Sequence, residues 1–197
     1  MTRSTNGGRR LPVTATIVVA AAVAAMIALG FWQLERKAEK EALLVQYAQA
    51  QTMSAEAVWP AATEDYPQAL YRHARIECAT VEGIEAVAGR SFDGRPGWAH
   101  VATCRLADGG QAAVAIGWSK RPRSPTWQGG AVGGFIGPAG KGIRLVASPA
   151  QAGLAELAQP DPANIANNHL SYAVQWFVFA VTALVIYALA VRKRWRG

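Results

Sequence analysis

Hydrophobic residues form two long runs near the ends of the chain and alternate with polar residues in the middle. No charged side chain occurs from Leu11 to Leu29, and none occurs from Tyr172 to Val191. A helix of about 20 apolar residues spans about 30 Å, which matches the hydrocarbon thickness of a bilayer. The two runs therefore predict transmembrane helices at 11–32 and 171–191.

The first run continues into a polar segment that keeps a helical composition. Residues 33–51 contain neither Gly nor Pro and are rich in strong helix formers. Opposite charges recur at helical spacing, Arg36 with Glu39 and Lys37 with Glu41. We expect the first helix to extend beyond the membrane as far as residue 51.

The middle of the chain shows the short alternating runs of strands. Between residues 71 and 148, six apolar-polar runs are separated by Asp, Gly and Pro clusters: YRHARIECAT, EGIEAVAGRSF, GWAHVATCRL, QAAVAIGW, AVGGFIG and KGIRLVAS. Ala107-Asp108-Gly109-Gly110 is a hairpin signal between two of them. The predicted fold is a membrane α+β protein, in which an antiparallel hairpin of two transmembrane helices flanks a mainly antiparallel β domain or partly closed barrel, within an extracytoplasmic segment 33–170.

The net charge of +7 lies entirely in the two tails, 1–10 and 192–197. These tails carry no acid and seven cations: Arg3, Arg9, Arg10, Arg192, Lys193, Arg194 and Arg196. Positive tails predict that both termini are cytoplasmic and that the middle is exported, with the cations near anionic lipid of the bilayer. The balanced middle argues against a nucleic-acid partner. A cleaved signal peptide is the alternative for the first run.

The middle domain carries few chemical signatures. Cys78 and Cys104 are 26 positions apart, which fits neither a Cys-x-x-Cys pair nor a haem attachment motif. Either a disulfide between strands or two buried thiols would explain them. His73 and His100 are expected to be half-buried strand residues. No nucleophile, acid-base or phosphate-loop motif is found, so we expect no enzymatic activity.

The predicted topology places two polar stretches, 29–36 and 167–176, at the same outer boundary of the membrane. His169, Tyr172 and Trp176 follow the i, i+3, i+7 spacing of one helical stripe. Trp and Tyr are common membrane anchors, and Asn168 is a suitable helix cap, so an architectural role explains much of this stretch. An interfacial imidazole is also a ready axial ligand for haem iron.

The same two stretches resemble the Surf1 family (Surfeit locus protein 1). The first resemblance is carried by Leu29-Gly30-Phe31-Trp32-Gln33-Leu34-Glu35-Arg36 with Lys40, and the second by Asn168-His169-Leu170-Ser171-Tyr172-Ala173 with Trp176. Gly97, Asp108-Gly109 and Ile116-Gly117-Trp118 follow the order of the family's middle. The family usually has an arginine where this chain has Ile116. Any role of that cation would have to pass to Lys120 or Arg121.

The resemblance implies a non-enzymatic assembly factor of cytochrome c oxidase in the respiratory chain of a bacterial inner membrane. It implies help in placing haem a into oxidase subunit I, with haem a synthase as a further partner. On this basis His169 is the expected ligand of the haem iron. The other expected cofactor-binding residues are Trp32, Gln33, Arg36, Tyr172 and Trp176, with Arg36 facing a propionate.

Two other functions are considered for the same residues. A scaffold without haem would use the helix stripe to dock subunit I or haem a synthase. A copper-delivery protein would need clusters of thiol or thioether ligands. The three methionines at positions 1, 26 and 53 and the two distant cysteines do not supply such a cluster in the sequence.

Overall fold

The computed structural model describes residues 12–196, so the predicted basic tail 1–10 lies outside the described part of the chain. Two units are distinguished. Within the described residues, the helix pair comprises 12–42 and 166–196, and the barrel domain comprises Leu43–Ile165.

Two long helices carry the apolar runs. Helix α1 covers Val13–Thr52 and helix α3 covers His169–Arg196, and both are long and apolar enough to cross a membrane. Helix α1 continues from the apolar run into the polar segment because no Gly or Pro occurs between Gly30 and Pro60. Arg36 pairs with Glu39 and Lys37 with Glu41, each at 2.7 Å, as the spacing predicts.

The helix pair is packed through small residues. Ala173 and Ala180 of α3 are buried, and Gly30 of α1 lies so close to Phe177 that an added Cβ would be 2.6 Å from Phe177 Cε1. Phe177 also contacts Phe31 edge to face, with ring centroids 5.5 Å apart. Close approach through small residues is the usual packing mode of helices in lipid.

The barrel domain contains five strands. They are β1 His73–Arg90, β2 Pro96–Leu106, β3 Gln111–Ser119, β4 Gly130–Ala139 and β5 Gly142–Ala147. A short helix α2, Tyr66–Ala69, precedes β1, and a 3-10 turn at Pro162–Asn164 lies in the segment that follows β5. The strands close into a barrel in the order β1-β2-β3-β5-β4.

The predicted fold class is confirmed, with two differences in the sheet. The first two predicted strands are one strand, β1, because its irregular positions near Thr80 and Gly83 are absorbed as register shifts instead of ending it. Its first half pairs with β4 and its second half with β2. The barrel also contains one parallel contact, in which Val114 and Ala115 of β3 pair with β5.

Alternating side chains of the strands fill the barrel with an apolar core. Val114, Ile116, Ile136 and Leu145 are completely buried in it. Cys78 of β1 and Cys104 of β2 are joined by a disulfide at the edge of this core. Burial of these side chains is the main source of the domain's stability.

Candidate functional site at the end of the helix pair

His169 is the first residue of α3, and its ring is fixed by a residue of α1. Its Nδ1 atom lies 2.8 Å from Gln33 Oε1. An amide oxygen only accepts hydrogen bonds, so His169 Nδ1 carries the proton and donates it. The lone pair of the neutral ring is then on Nε2, for which no hydrogen-bond partner is found among residues 12–196.

Trp32 and Arg36 form a second contact on α1. The Arg36 guanidinium lies 5.7 Å from the centroid of the Trp32 ring, and its Nη1 donates to Glu39 Oε2. All three side chains are largely exposed. Exposed ion pairs contribute only about 0–1 kcal/mol, so Arg36 is free to exchange Glu39 for another anion at small cost.

Tyr172 and Trp176 lie on α3 at the spacing that the sequence predicts. Tyr172 is half-exposed, whereas Trp176 packs edge to face on Phe179 at 6.2 Å. Neither ring forms an aromatic pair with His169 within the described residues. The structure thus joins Gln33 to His169 and Trp32 to Arg36, and it leaves Tyr172 and Trp176 as separate aromatic groups further along α3.

The two barrel histidines have different environments. His73 is half-buried, with Nδ1 3.5 Å from Glu56. His100 is completely buried instead of half-buried because β2 turns it inward at a register shift, and burial lowers its pKa. Its Nε2 bonds to Ser119 Oγ, which donates its own proton to the carbonyl of Arg121. The serine proton is therefore directed away from the histidine, so the pair is not arranged as a nucleophile and base.

The position where the family usually has arginine is part of the core. Ile116 has no exposed surface, and it packs among the apolar side chains of the barrel. Lys120 and Arg121 are exposed just beyond the end of β3. A cation at either position would be solvated, unlike one at the position of Ile116.

The barrel also holds a cavity of about 320 Å³ that the sequence does not predict. Its polar lining includes Tyr71, Arg90, Arg144 and Gln159. These residues come from four separate segments of the chain, so no local motif could have identified them. They meet on the face of β3 and β5 opposite to the barrel core, where Ala115 and Val146 point away from their core neighbours toward the segment 157–165.

Comparison with known proteins connects these observations. The SURF1 family model matches residues 20–181, which include most of α1, the whole barrel and the first half of α3. No curated protein sequence matches the chain. Because the matched range covers most of the 197 residues and both polar stretches, the chain belongs to the SURF1 family, and this membership implies a role in the assembly of cytochrome c oxidase.

Proposed function

We propose that this protein assists the delivery of haem a to subunit I of cytochrome c oxidase and that it holds the haem through His169. The observation that carries the proposal is the hydrogen bond of 2.8 Å between His169 Nδ1 and Gln33 Oε1. Histidine ligands of metals usually donate their second ring N–H to an oxygen, which fixes the tautomer and the ring orientation. Gln33 supplies that oxygen and leaves Nε2 as the iron ligand.

The surrounding side chains fit the other parts of a haem. Trp32 and Tyr172 are 46% and 51% exposed, so their rings offer apolar surface to a macrocycle. Arg36 offers a cation for a propionate in exchange for its weak pair with Glu39. The apolar surfaces of α1 and α3 suit an isoprenoid tail. Haem a, when bound, would supply an iron for which Nε2 of His169 would be the protein ligand.

The proposed compartment is the outer side of a bacterial inner membrane, with the barrel domain in the periplasm. The cations at positions 192–196 follow the apolar part of α3, and by the positive-inside rule this charge pattern supports a cytoplasmic location for that end. The disulfide between Cys78 and Cys104 supports an oxidising location for the barrel. These two arguments are independent, because one uses charges of the helix pair and the other uses the barrel.

The proposed partners are haem a synthase as the donor and oxidase subunit I as the acceptor. One protein ligand to the iron is appropriate for a carrier, because the haem must leave for a site that binds it more tightly. The lipid bilayer would solvate the apolar part of the cargo during transfer. No catalytic step is required of this chain.

The first test is the haem content of the full-length protein, purified from cells that make haem A. Wild type, His169→Ala and Gln33→Leu are compared by the reduced pyridine spectrum. We expect His169→Ala to lose most of the haem and Gln33→Leu to retain an intermediate amount, since it keeps the ligand but loses its orientation. His73→Ala is the matched control, because it removes a histidine of the barrel, and it should keep the wild-type content.

The same preparations distinguish the carrier from a scaffold. If neither wild type nor His169→Ala carries haem while both retain oxidase subunits, the helix pair is a docking element and the haem proposal is wrong. Arg36→Ala tests the propionate contact separately. Unchanged haem retention in that variant would remove Arg36 from the site without affecting the role of His169.

A further inference from the structure

The cavity in the barrel domain is walled by small and apolar side chains. Ala99, Ala115, Val146 and Leu157 are almost fully buried and form part of its lining. Gly137 of β4 also lines it, and the absence of a side chain there lets Pro160 approach, since an added Cβ would lie 2.7 Å from Pro160 Cγ. A volume of about 320 Å³ lies at the lower end of the range for small-molecule pockets.

Two polar atoms of the cavity lining are buried without a hydrogen-bond partner. Arg144 Nε is an orphaned donor and Gln159 Oε1 an orphaned acceptor within residues 12–196. Buried polar groups in folded proteins are nearly always hydrogen-bonded, so each of these atoms calls for an explanation. A polar ligand in the cavity would provide it.

The charge of the lining favours an anion. Arg144 forms no ion pair with any described residue, and burial lowers its pKa. Arg90 adds a second cation at an exposed position of the lining. The acidic residue among the described lining residues is Asp161, and its Oδ1 accepts a hydrogen bond from the Ala163 amide. An anion beside Arg144 would offset the cost of its burial.

Tyr71 is a further donor that the fold holds in place. Its backbone has a φ of 65°, which is unfavourable for a side chain of this size, and only 2% of the residue is exposed. The Tyr71 amide donates to the Ile136 carbonyl at 2.7 Å, and its ring packs on Tyr47 with centroids 4.8 Å apart. Burial, Tyr47 and Asp161 raise the pKa of Tyr71, so the phenol keeps its proton.

We propose that this cavity is a binding site for a small carboxylate with an aliphatic body. The guanidinium of Arg144 matches a planar carboxylate, and Val146, Leu157 and Ile165 provide an apolar wall for the remainder of the ligand. The site lies wholly within the barrel domain and is independent of the haem site proposed on the helix pair.

Hexanoate is the first probe, because it is soluble and carries only these two chemical features. Its binding to the full-length protein in lipid nanodiscs is measured by titration calorimetry, with empty nanodiscs as the blank. We expect saturable binding of hexanoate and at least tenfold weaker binding of hexan-1-ol, which lacks the charge. Equal binding of the acid and the alcohol would overturn the proposal.

Variants of Arg144 locate the binding. Arg144→Met keeps an unbranched apolar stem and should weaken hexanoate binding at least tenfold. Arg144→Lys should give a smaller loss of affinity, because it keeps the charge but loses the two parallel N–H donors of the guanidinium. Arg123→Met is the matched control, since Arg123 is exposed and outside the cavity lining. Hexanoate binding that is unchanged in Arg144→Met, or equally weakened in Arg123→Met, contradicts the proposed site.

The melting temperature of the ligand-free protein separates a binding role from a structural one. Arg144 has a buried, unpaired nitrogen, so Arg144→Met should melt at the same temperature as wild type or higher. A marked fall would instead mean that Arg144 stabilises the barrel, and the proposal would be wrong. Added hexanoate should raise the melting temperature of wild type and leave that of Arg144→Met unchanged.

A series from butanoate to dodecanoate identifies the source of the carboxylate. Each added CH2 should tighten binding about fourfold while it remains inside the cavity. A plateau at short chains would assign the site to a soluble organic acid, and a continued increase through dodecanoate would assign it to a fatty acid. No increase beyond butanoate would contradict the apolar part of the proposed site.

Discussion

The helix pair and the barrel domain contain similar apolar residues but expose them to opposite degrees. Ile116 of β3 is completely buried, whereas Ile186 of α3 is 62% exposed. In water an exposed apolar face of this length would be unfavourable, but lipid solvates it as well as a protein core does. The barrel is therefore stabilised by its own core, whereas the helix pair depends on lipid around its apolar surface.

The two regions also use histidine differently. The imidazole of His100 lies inside the barrel and bonds to Ser119, where it contributes to the core structure. That of His169 lies at the end of the helix pair, and Gln33 fixes only one of its nitrogens. His100 also has an unpartnered nitrogen, Nδ1, but it is buried, whereas His169 is partly exposed and is therefore the histidine suited to binding.

The same substitution in both regions provides the strongest test of this contrast. Ile116→Ala leaves a cavity in the barrel core and should lower its free energy of unfolding by about 2–5 kcal/mol. Ile186→Ala removes a side chain that faces outward and should change it by less than about 0.5 kcal/mol. Urea titration of the barrel, followed by near-ultraviolet circular dichroism, measures both. Similar losses of unfolding free energy in the two variants would contradict the idea that the barrel is stabilised by its core and the helix pair by lipid.

A smaller effect is expected from overpacking the helix pair. In Gly30→Leu the new side chain would overlap Phe177, which should weaken the packing of α1 on α3 by about 1–3 kcal/mol. Oxidative cross-linking of cysteines that replace Thr16 and Tyr187, whose hydroxyls hydrogen-bond to each other, reports this packing. The yield should fall several-fold.

Gly83 of β1 provides the control, because an added Cβ there meets no atom within 4 Å. Gly83→Leu should leave the cross-linking yield at the wild-type level. An unchanged yield in Gly30→Leu would show that Phe177 moves aside without cost and that small-residue packing is unimportant here.

The smallest expected effect is a pH dependence of the barrel. Burial lowers the pKa of His100, so below about pH 6.5 the unfolded chain binds a proton that the folded barrel does not. The neutral, buried His100 therefore stabilises the barrel above that pH. As the pH falls below it, the free energy of unfolding decreases by at most about 1.4 kcal/mol per pH unit. Urea titrations at several pH values measure the free energy of unfolding, and its slope against pH below about pH 6.5 should be smaller in His100→Gln than in wild type. His73→Gln is the control, and an undiminished slope in His100→Gln would disprove the role of His100.

The sequence predicts those features of the fold that depend on local pattern. The two charge-free apolar runs predict the membrane helices, and the alternating runs with Asp-Gly turns predict the strands, so the fold class could be derived without coordinates. The prediction that 29–36 and 167–176 lie at the same membrane depth follows from the order of the two apolar runs alone. That Gln33, and not Trp32 or Arg36, contacts His169 depends on the rotation of each helix, which the sequence does not specify.

Features that depend on the closure of the barrel could not be predicted. The parallel contact of β3 with β5 joins strands that are not sequential, and no turn signal encodes it. The burial of Ile116 results from that closure, whereas the cavity around Arg144 forms on the opposite face of the strands, where the distant segment 157–165 covers it. The roles of Trp32, Arg36, Tyr172 and Trp176 in haem binding remain predictions to be tested by the variants described above.

Closure of the barrel also limits how this protein meets its partners. The five strands follow one another around a closed order, but β1 pairs with β4 only over His73–Cys78 and with β2 over Cys78–Arg90. A partner that extends the sheet with a strand of its own therefore has the second part of β1 as its place to pair. Elsewhere on the barrel, recognition uses side chains and loops, which makes it sensitive to individual surface substitutions rather than to backbone geometry.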